Sequence, residues 1–384
     1  MAITLKERPL FIIGSERSGT TLLMAMLGNH PRIAVPEVAW YYPRFRPYLF
    51  SYGDLSQAQN LRTLADEMVF GLKTPFWDMP VNPATIVDEI LASAPQPSFA
   101  GIYTAMFERY ARWQNKPRWG EKTPHNLFYV GQILEDFPNA QFVFLTRDGR
   151  DASAEYLRSA FGPTNIYAAA RTWKLCQNAV KPWREKLDPE QWLDVGYEQL
   201  ARDPLPVLRT VCEFLGEEFS PALLDFHRGT IAQRRGQTRD HAPLGQPVST
   251  QWIGRYRREL SLEEQAIFAA IAGQELSEAG YSVDVEPAQI DDKELSLYWE
   301  RDQRTRAALL GAPDGHLVHE SYNDWLIDQR LERKRRGLWS DRDVPAEFPH
   351  GHPQEEEIAG YRAQRRWKEH FGVKRVYTSS EVVL

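Results

Sequence analysis

The sequence predicts an α/β fold, with a central parallel sheet in a three-layer sandwich of helices. Short, almost wholly apolar runs at Leu10 to Ile13, Phe142 to Leu145 and Trp192 to Val195 fit parallel strands covered on both faces. Stretches of helical periodicity lie between them, and strands that alternate with helices favour parallel pairing. A glycine-bounded turn follows the first run directly, where the carboxyl end of a strand would meet a ligand in such a sheet.

The elements follow in chain order. Pro9 to Leu23 reads Pro-Leu-Phe-Ile-Ile-Gly-Ser-Glu-Arg-Ser-Gly-Thr-Thr-Leu-Leu: a buried strand, a turn, and the start of a helix from Thr20 to Gly28. Helical patterns recur at Asn82 to Ala94, Ile102 to Trp113 and His125 to Phe137. The strand at Phe142 ends in Thr-Arg-Asp-Gly-Arg-Asp, residues 146–151. Helices are expected over Tyr167 to Lys186 and Pro204 to Leu215, flanking the strand at Trp192. From about Gln233 to Gln251 the chain turns polar and loop-like. Leu260 to Leu276 is amphipathic, with Ser261 as N-cap and Glu264 completing a capping box.

Residues 1–285 form the expected main domain, and the chain changes character over 286–384. That part holds Arg333-Lys-Arg-Arg336, a Pro/His/Glu stretch from Pro345 to Glu357, and Trp299, Trp325, Trp339 and Trp367. So many tryptophans argue for a C-terminal, mostly helical extension rather than a disordered tail. Its basic run reads as a solvated helix face.

The chain has 384 residues, 42% hydrophobic and 26% charged, which is ordinary for a soluble globular protein. A net charge of −6 argues against binding nucleic acid through bulk charge. The two cysteines, Cys176 and Cys212, have neither metal-ligand nor disulfide-framework spacing, so a reducing compartment is expected. The N-terminus lacks the apolar core of a signal peptide, and no apolar run is long enough for an integral membrane segment. A cytoplasmic protein is the expectation, with homo-oligomerisation left open.

Chemistry concentrates in Gly14-Ser-Glu-Arg-Ser-Gly-Thr-Thr21. A strand–turn–helix of this kind aims backbone N–H groups and the positive end of a helix dipole at an anion. The Gly14 to Gly19 spacing is that of a phosphate-binding P-loop, so a P-loop NTPase-like architecture is expected. Thr20, however, stands where a triphosphate enzyme carries its lysine, and Arg17 supplies a cation inside the loop instead. Arg147 and Arg150 emerge at the end of the Phe142 strand, suited to grip a second phosphate or to pair with Asp148 and Asp151. Lys122 lies in Trp119-Gly-Glu-Lys-Thr-Pro-His125, just before a helix.

In this order, the motifs resemble the sulfotransferases that use 3′-phosphoadenosine 5′-phosphosulfate (PAPS), in the style of the tyrosylprotein and glycosaminoglycan branches and of bacterial members. Gly14 to Thr21 looks like the 5′-phosphosulfate loop, and Phe144 to Asp151 like the 3′-phosphate motif. Tyr197-Glu-Gln-Leu200, with Asp203-Pro204 and Phe214-Leu-Gly216, matches a third block. Gly254-Arg-Tyr-Arg-Arg-Glu-Leu-Ser261 looks like the segment that closes over the nucleotide. The resemblance spans roughly residues 8 to 283.

What it implies is a sulfuryl transfer to an acceptor hydroxyl, with PAPS as co-substrate, PAP (the 3′,5′-bisphosphate) as product, and no metal. Gly14, Arg17, Ser18, Gly19, Thr20 and Thr21 would hold the 5′ end. Arg147, Tyr197 and Arg255 would serve the nucleotide and its 3′-phosphate. By position Glu37 would be the general base and Lys122 would steady the sulfuryl group together with Arg17. His125 is the competing base, one residue out of the register used by the small-molecule branch. One departure stands out: the family's 3′-phosphate serine, eight residues after the motif arginine, is here Glu155. Either Ser153 or Ser159 takes over, or Glu155 turns toward a neighbouring arginine. The acceptor could be a small molecule, carbohydrate, lipid or peptide, and Trp40-Tyr41-Tyr42 with Phe45 could line its pocket or simply be core. The rival readings are a P-loop kinase-like enzyme and a non-catalytic nucleotide-binding protein of the same fold.

Overall fold

The computed structural model describes residues 8–72, 75–159, 161–310 and 316–344. Five strands form one parallel sheet in the order β2-β3-β1-β4-β5: β1 (Leu10–Gly14), β2 (Ile33–Ala34), β3 (Arg118–Lys122), β4 (Gln141–Thr146) and β5 (Trp192–Gly196). Side chains alternate across the sheet. Phe11, Ile13, Phe142 and Phe144 enter a core with Tyr42, Tyr103, Phe107 and Trp119 on one face. Leu10, Ile12, Val143 and Leu145 meet Leu23, Leu27, Leu208 and Val211 on the other. Both faces are thus covered, which is why the central strands read as unbroken apolar runs.

The three strands expected from apolarity are β1, β4 and β5. The other two were not anticipated. β2 has only two residues, and β3 is Arg-Trp-Gly-Glu-Lys, whose charges hid it. They are tolerated because they are bonded within the fold. Arg118 donates to the Leu215 carbonyl and to Gln141 Oε1, both at 2.6 Å. Glu121 accepts from the Thr123 amide at 3.1 Å and from Asn126 Nδ2 at 2.5 Å.

Several helices match their expected spans, notably Thr20–Gly28, Ile166–Lys186 and Pro204–Leu215. The capping box forms: Ser261 accepts from the Glu264 amide, and Glu264 accepts from the Ser261 amide, starting the helix Leu262–Glu278. The expected helix from His125 to Phe137 is instead a 3₁₀ stretch, Pro124–Tyr129, followed by the helix Val130–Asp136. The polar stretch after Gln233 is likewise not all loop, since the helix Thr230–Arg235 runs into it.

In the extension, helices Asp292–Leu310 and His316–Arg335 pack on the core. Asp302 accepts from the Thr164 amide at 2.6 Å, and Asn165 donates to the Tyr298 carbonyl at 2.7 Å. The basic run needs correction. Arg333 is 8% exposed, donates to Glu67 at 2.7 Å and to the Ser51 carbonyl at 2.9 Å, and lies over the Tyr52 ring. Lys334, paired with exposed Asp341, and Arg335 and Arg336 keep the solvated character. Trp367 and the Pro345 to Glu357 stretch lie outside the described residues.

Candidate active site

The register of the sheet brings the two anion motifs together. Gly14 pairs with Leu145, so the loops that follow β1 and β4 leave the same edge side by side. A Cβ on Gly14 would stand 2.4 Å from the Leu145 carbonyl oxygen, so only glycine lets these strands close up. Arg17 has a φ of 63° and Gly19 a φ of 93°, which curl the loop so that its amides lead into the helix Thr20–Gly28. A Cβ on Gly19 would meet the Tyr197 ring at 2.6 Å. Ser18 is fully buried and its hydroxyl is bonded to that of Ser15.

Arg147 leaves the end of β4 and ties three segments together. Its guanidinium donates to the Arg17 carbonyl at 2.9 Å and to the Trp252 carbonyl at 2.8 Å, and stacks 4.5 Å from the Tyr197 ring centre. Arg255 lies over the Trp252 ring at 4.7 Å and pairs with Glu155 and Glu259. Arg17, Gly19, Thr20, Thr21, Arg147, Tyr197 and Trp252 line one cleft of about 830 Å³, counting its open mouth, roofed by residues 243–252.

The serine question has a definite geometry. Glu155 bridges two arginines: its Oε1 accepts from Arg17 at 3.1 Å and its Oε2 from Arg255 at 3.0 Å. The Ser153 hydroxyl is fully buried, with no hydrogen-bond partner among the described residues. Ser159 is half-buried beyond the end of the same helix, its amide donating to Tyr156. Arg150 takes the pairing role: it is bonded to Asp148 at 2.8 Å and stacked 4.0 Å from the Tyr256 ring centre.

Lys122, at the end of β3, donates to Thr21 Oγ1 at 3.3 Å, which sets it against the phosphate loop. Burial, with Arg235 next, pulls its ammonium down to about 8. Glu121 first, then Glu37 and Glu16, oppose this through their charges, which puts Glu37 within electrostatic reach of Lys122. Glu37 itself is 5% exposed, and both its oxygens are engaged: Oε1 accepts from Arg234 and Arg235 at 2.8 Å each, and Oε2 from Arg235 at 3.0 Å. Next to Lys122, burial raises the Glu121 carboxyl to about 7. His125 lines a separate, small cavity with Glu16, Tyr156 and Cys176. Its ring packs 4.8 Å from Trp40 and 3.7 Å from a Glu16 oxygen, and burial lowers its pKa. Tyr41, Tyr42 and Phe45 are core residues.

Sequence reasoning missed Arg234 and Arg235, which sit in the stretch read as polar loop and carry no local signal of their target. It also missed the role of Asp151. That buried carboxylate accepts from the Gly254 amide at 2.7 Å and the Tyr256 amide at 2.8 Å, which fastens the closing segment to the helix after β4. Among the described residues, no group of three or more His, Cys, Asp or Glu side chains is gathered to hold a metal. No described helix is long and apolar enough to cross a membrane.

The parallel α/β sheet thus sets a lysine-free, glycine-bounded loop beside the arginine that leaves β4, with both lining one cleft. The chain belongs to the sulfotransferase family, whose model matches residues 9–221. Among similar proteins are protein-tyrosine sulfotransferase 1 of Danio rerio, 27% identical over 73% of this chain and 75% of that one, and the protein-tyrosine sulfotransferase of Drosophila melanogaster, 25% identical over 65% of this chain. An uncharacterized protein of Aquifex aeolicus is 26% identical over 58% of this chain. The chain spans 48% of the Drosophila protein and 27% of the Aquifex one. The sulfotransferase domain from the Synechococcus PCC 7002 olefin synthase shares the fold, with a TM-score of 0.50 and 20% identity over 73% of this chain and 96% of that domain.

Proposed function

We propose that this protein transfers a sulfuryl group from PAPS to an acceptor hydroxyl by in-line displacement. The observation that carries this reading is the Lys122 ammonium held 3.3 Å from Thr21 Oγ1, which joins a cation to a phosphate loop lacking the triphosphate lysine. Thr20 in that lysine's place, 3% exposed, speaks against the kinase-like alternative. One observation fits the donor: the Ser153 hydroxyl, on the helix after Arg147, is buried without a hydrogen-bond partner among the described residues.

Bound PAPS supplies the sulfuryl group and a bisphosphate leaving group. This chain's residues supply alignment and charge. The amides from Gly19 to Thr21, at the positive end of a helix, with the Ser18 side chain behind them, would hold the 5′-phosphate. Lys122, still mostly protonated at neutral pH, balances charge developing where the S–O bond breaks. Glu37 takes the acceptor proton. A carboxylate bonded to two guanidiniums is a weak base, so the acceptor hydroxyl must displace one of these bonds. Arg234, at 38% side-chain exposure against 17% for Arg235, is the one to yield, since its second ion pair, to Asp78, can keep it when it lets go of Glu37.

The names of the relatives favour a protein tyrosine as acceptor. Two buried, free cysteines are compatible with a reducing, cytoplasmic setting. The test is to incubate the protein with sulfur-radiolabelled PAPS and a tyrosine-containing peptide, alongside a cell extract. Label on the tyrosine oxygen is expected. Label only on another hydroxyl would change the acceptor, whereas no transfer and no binding of PAP would refute the reading.

A further inference from the structure

Glu155 stands at the position where the family resemblance expects a serine for the donor's 3′-phosphate, and it pairs with two arginines. Its carboxylate spans Arg17 and Arg255, whose side chains are 6% and 5% exposed, while its own is 24% exposed. Arg17, Glu155, Arg147 and Tyr197 all face the same cleft. A guanidinium grips carboxylate and phosphate oxygens through the same N–H donors, so the two anions compete for one grip. They also repel each other, and such repulsion is poorly screened where groups are half-buried.

Resting on the reading of this cleft as a PAPS site, we infer that Glu155 is a built-in competitor for the nucleotide's 3′-phosphate. In the free protein its carboxylate neutralises Arg17 and Arg255 and keeps two buried cations paired. A 3′-phosphorylated nucleotide must turn the carboxylate away from Arg255 before its 3′-phosphate can take that donor, whereas Arg17 serves the 5′ end of any nucleotide. The Arg255 part of the penalty falls on PAP and PAPS and not on a nucleotide with a free 3′-hydroxyl, while competition for Arg17 is common to both. Glu155 therefore sets how strongly the cleft prefers the 3′-phosphate, and it loosens the product.

Calorimetric titration of PAP and of ADP, which lacks the 3′-phosphate, into the wild type, Glu155→Gln and Glu155→Ser tests this. Glu155→Gln keeps the size and one accepting oxygen, so it preserves packing while removing the charge. Glu155→Ser supplies the hydroxyl that the family resemblance expects at this position. In both variants the PAP-to-ADP preference should rise at least about threefold, since any gain through Arg17 is shared by both nucleotides and the gain through Arg255 is not. A preference that is unchanged or reduced in both variants, with PAP still binding the wild type, overturns the role given to Glu155 and leaves the donor reading standing. Failure of PAP to bind wild type and variants alike overturns both.

Discussion

Replacing Glu37 by glutamine removes the candidate base while leaving a side chain of the same shape. Loss of a positioned general base costs about 10²- to 10⁴-fold in rate, equivalent to roughly 2.7–5.5 kcal/mol in the barrier. Glutamine retains one oxygen for Arg234 or Arg235 but forfeits the ion pairs of a buried carboxylate, so about 3 kcal/mol of stability is at stake and a thermal melt accompanies the assay. Glu37 does not line the cleft that Arg17, Thr21 and Arg147 share, so PAP affinity should stay within about threefold. The assay is steady-state turnover at saturating PAPS with whichever acceptor is labelled, paired with calorimetric binding of PAP. A kcat within about threefold of wild type would refute the assignment and pass the role to His125, whose burial keeps its imidazole neutral and able to accept a proton.

Lys122 gives a pH prediction: with its pKa at about 8, it loses charge as pH rises through 8, so kcat should fall on the alkaline side. Lys122→Arg should move that limb upward in a pH–rate profile, and an unmoved limb would assign it to another group. Arg333→Ala would leave the Glu67 carboxylate buried without its guanidinium, costing about 3 kcal/mol and lowering Tm by roughly 5 °C in a thermal melt. An unchanged Tm would mean that the contact of this helix with the core contributes little.

How much was legible depended on where the signal lay. β1, β4 and β5 could be read because burial on both faces demands apolar runs, and the Gly14 to Thr21 loop because a tight anion nest restricts its residue types. β3 could not. Its Arg118 and Glu121 are buried through bonds to Gln141, Leu215, Thr123 and Asn126, partners that no local pattern announces. Arg333 failed for the same reason, since its partners Glu67 and Ser51 are far away in sequence. At the site, Lys122 and Thr21 were named separately, but only the sheet brings them together. The engagement of Glu37 by Arg234 and Arg235 arises from a fold-level contact across nearly two hundred residues.

Tyr197 touches both halves of the cleft. Its ring closes against Gly19, and the guanidinium of Arg147 rests on it as well while bonding the Arg17 carbonyl. A single aromatic plate thereby wedges the turn after β1 against the arginine at the end of β4, and a smaller side chain there would leave both without their common support.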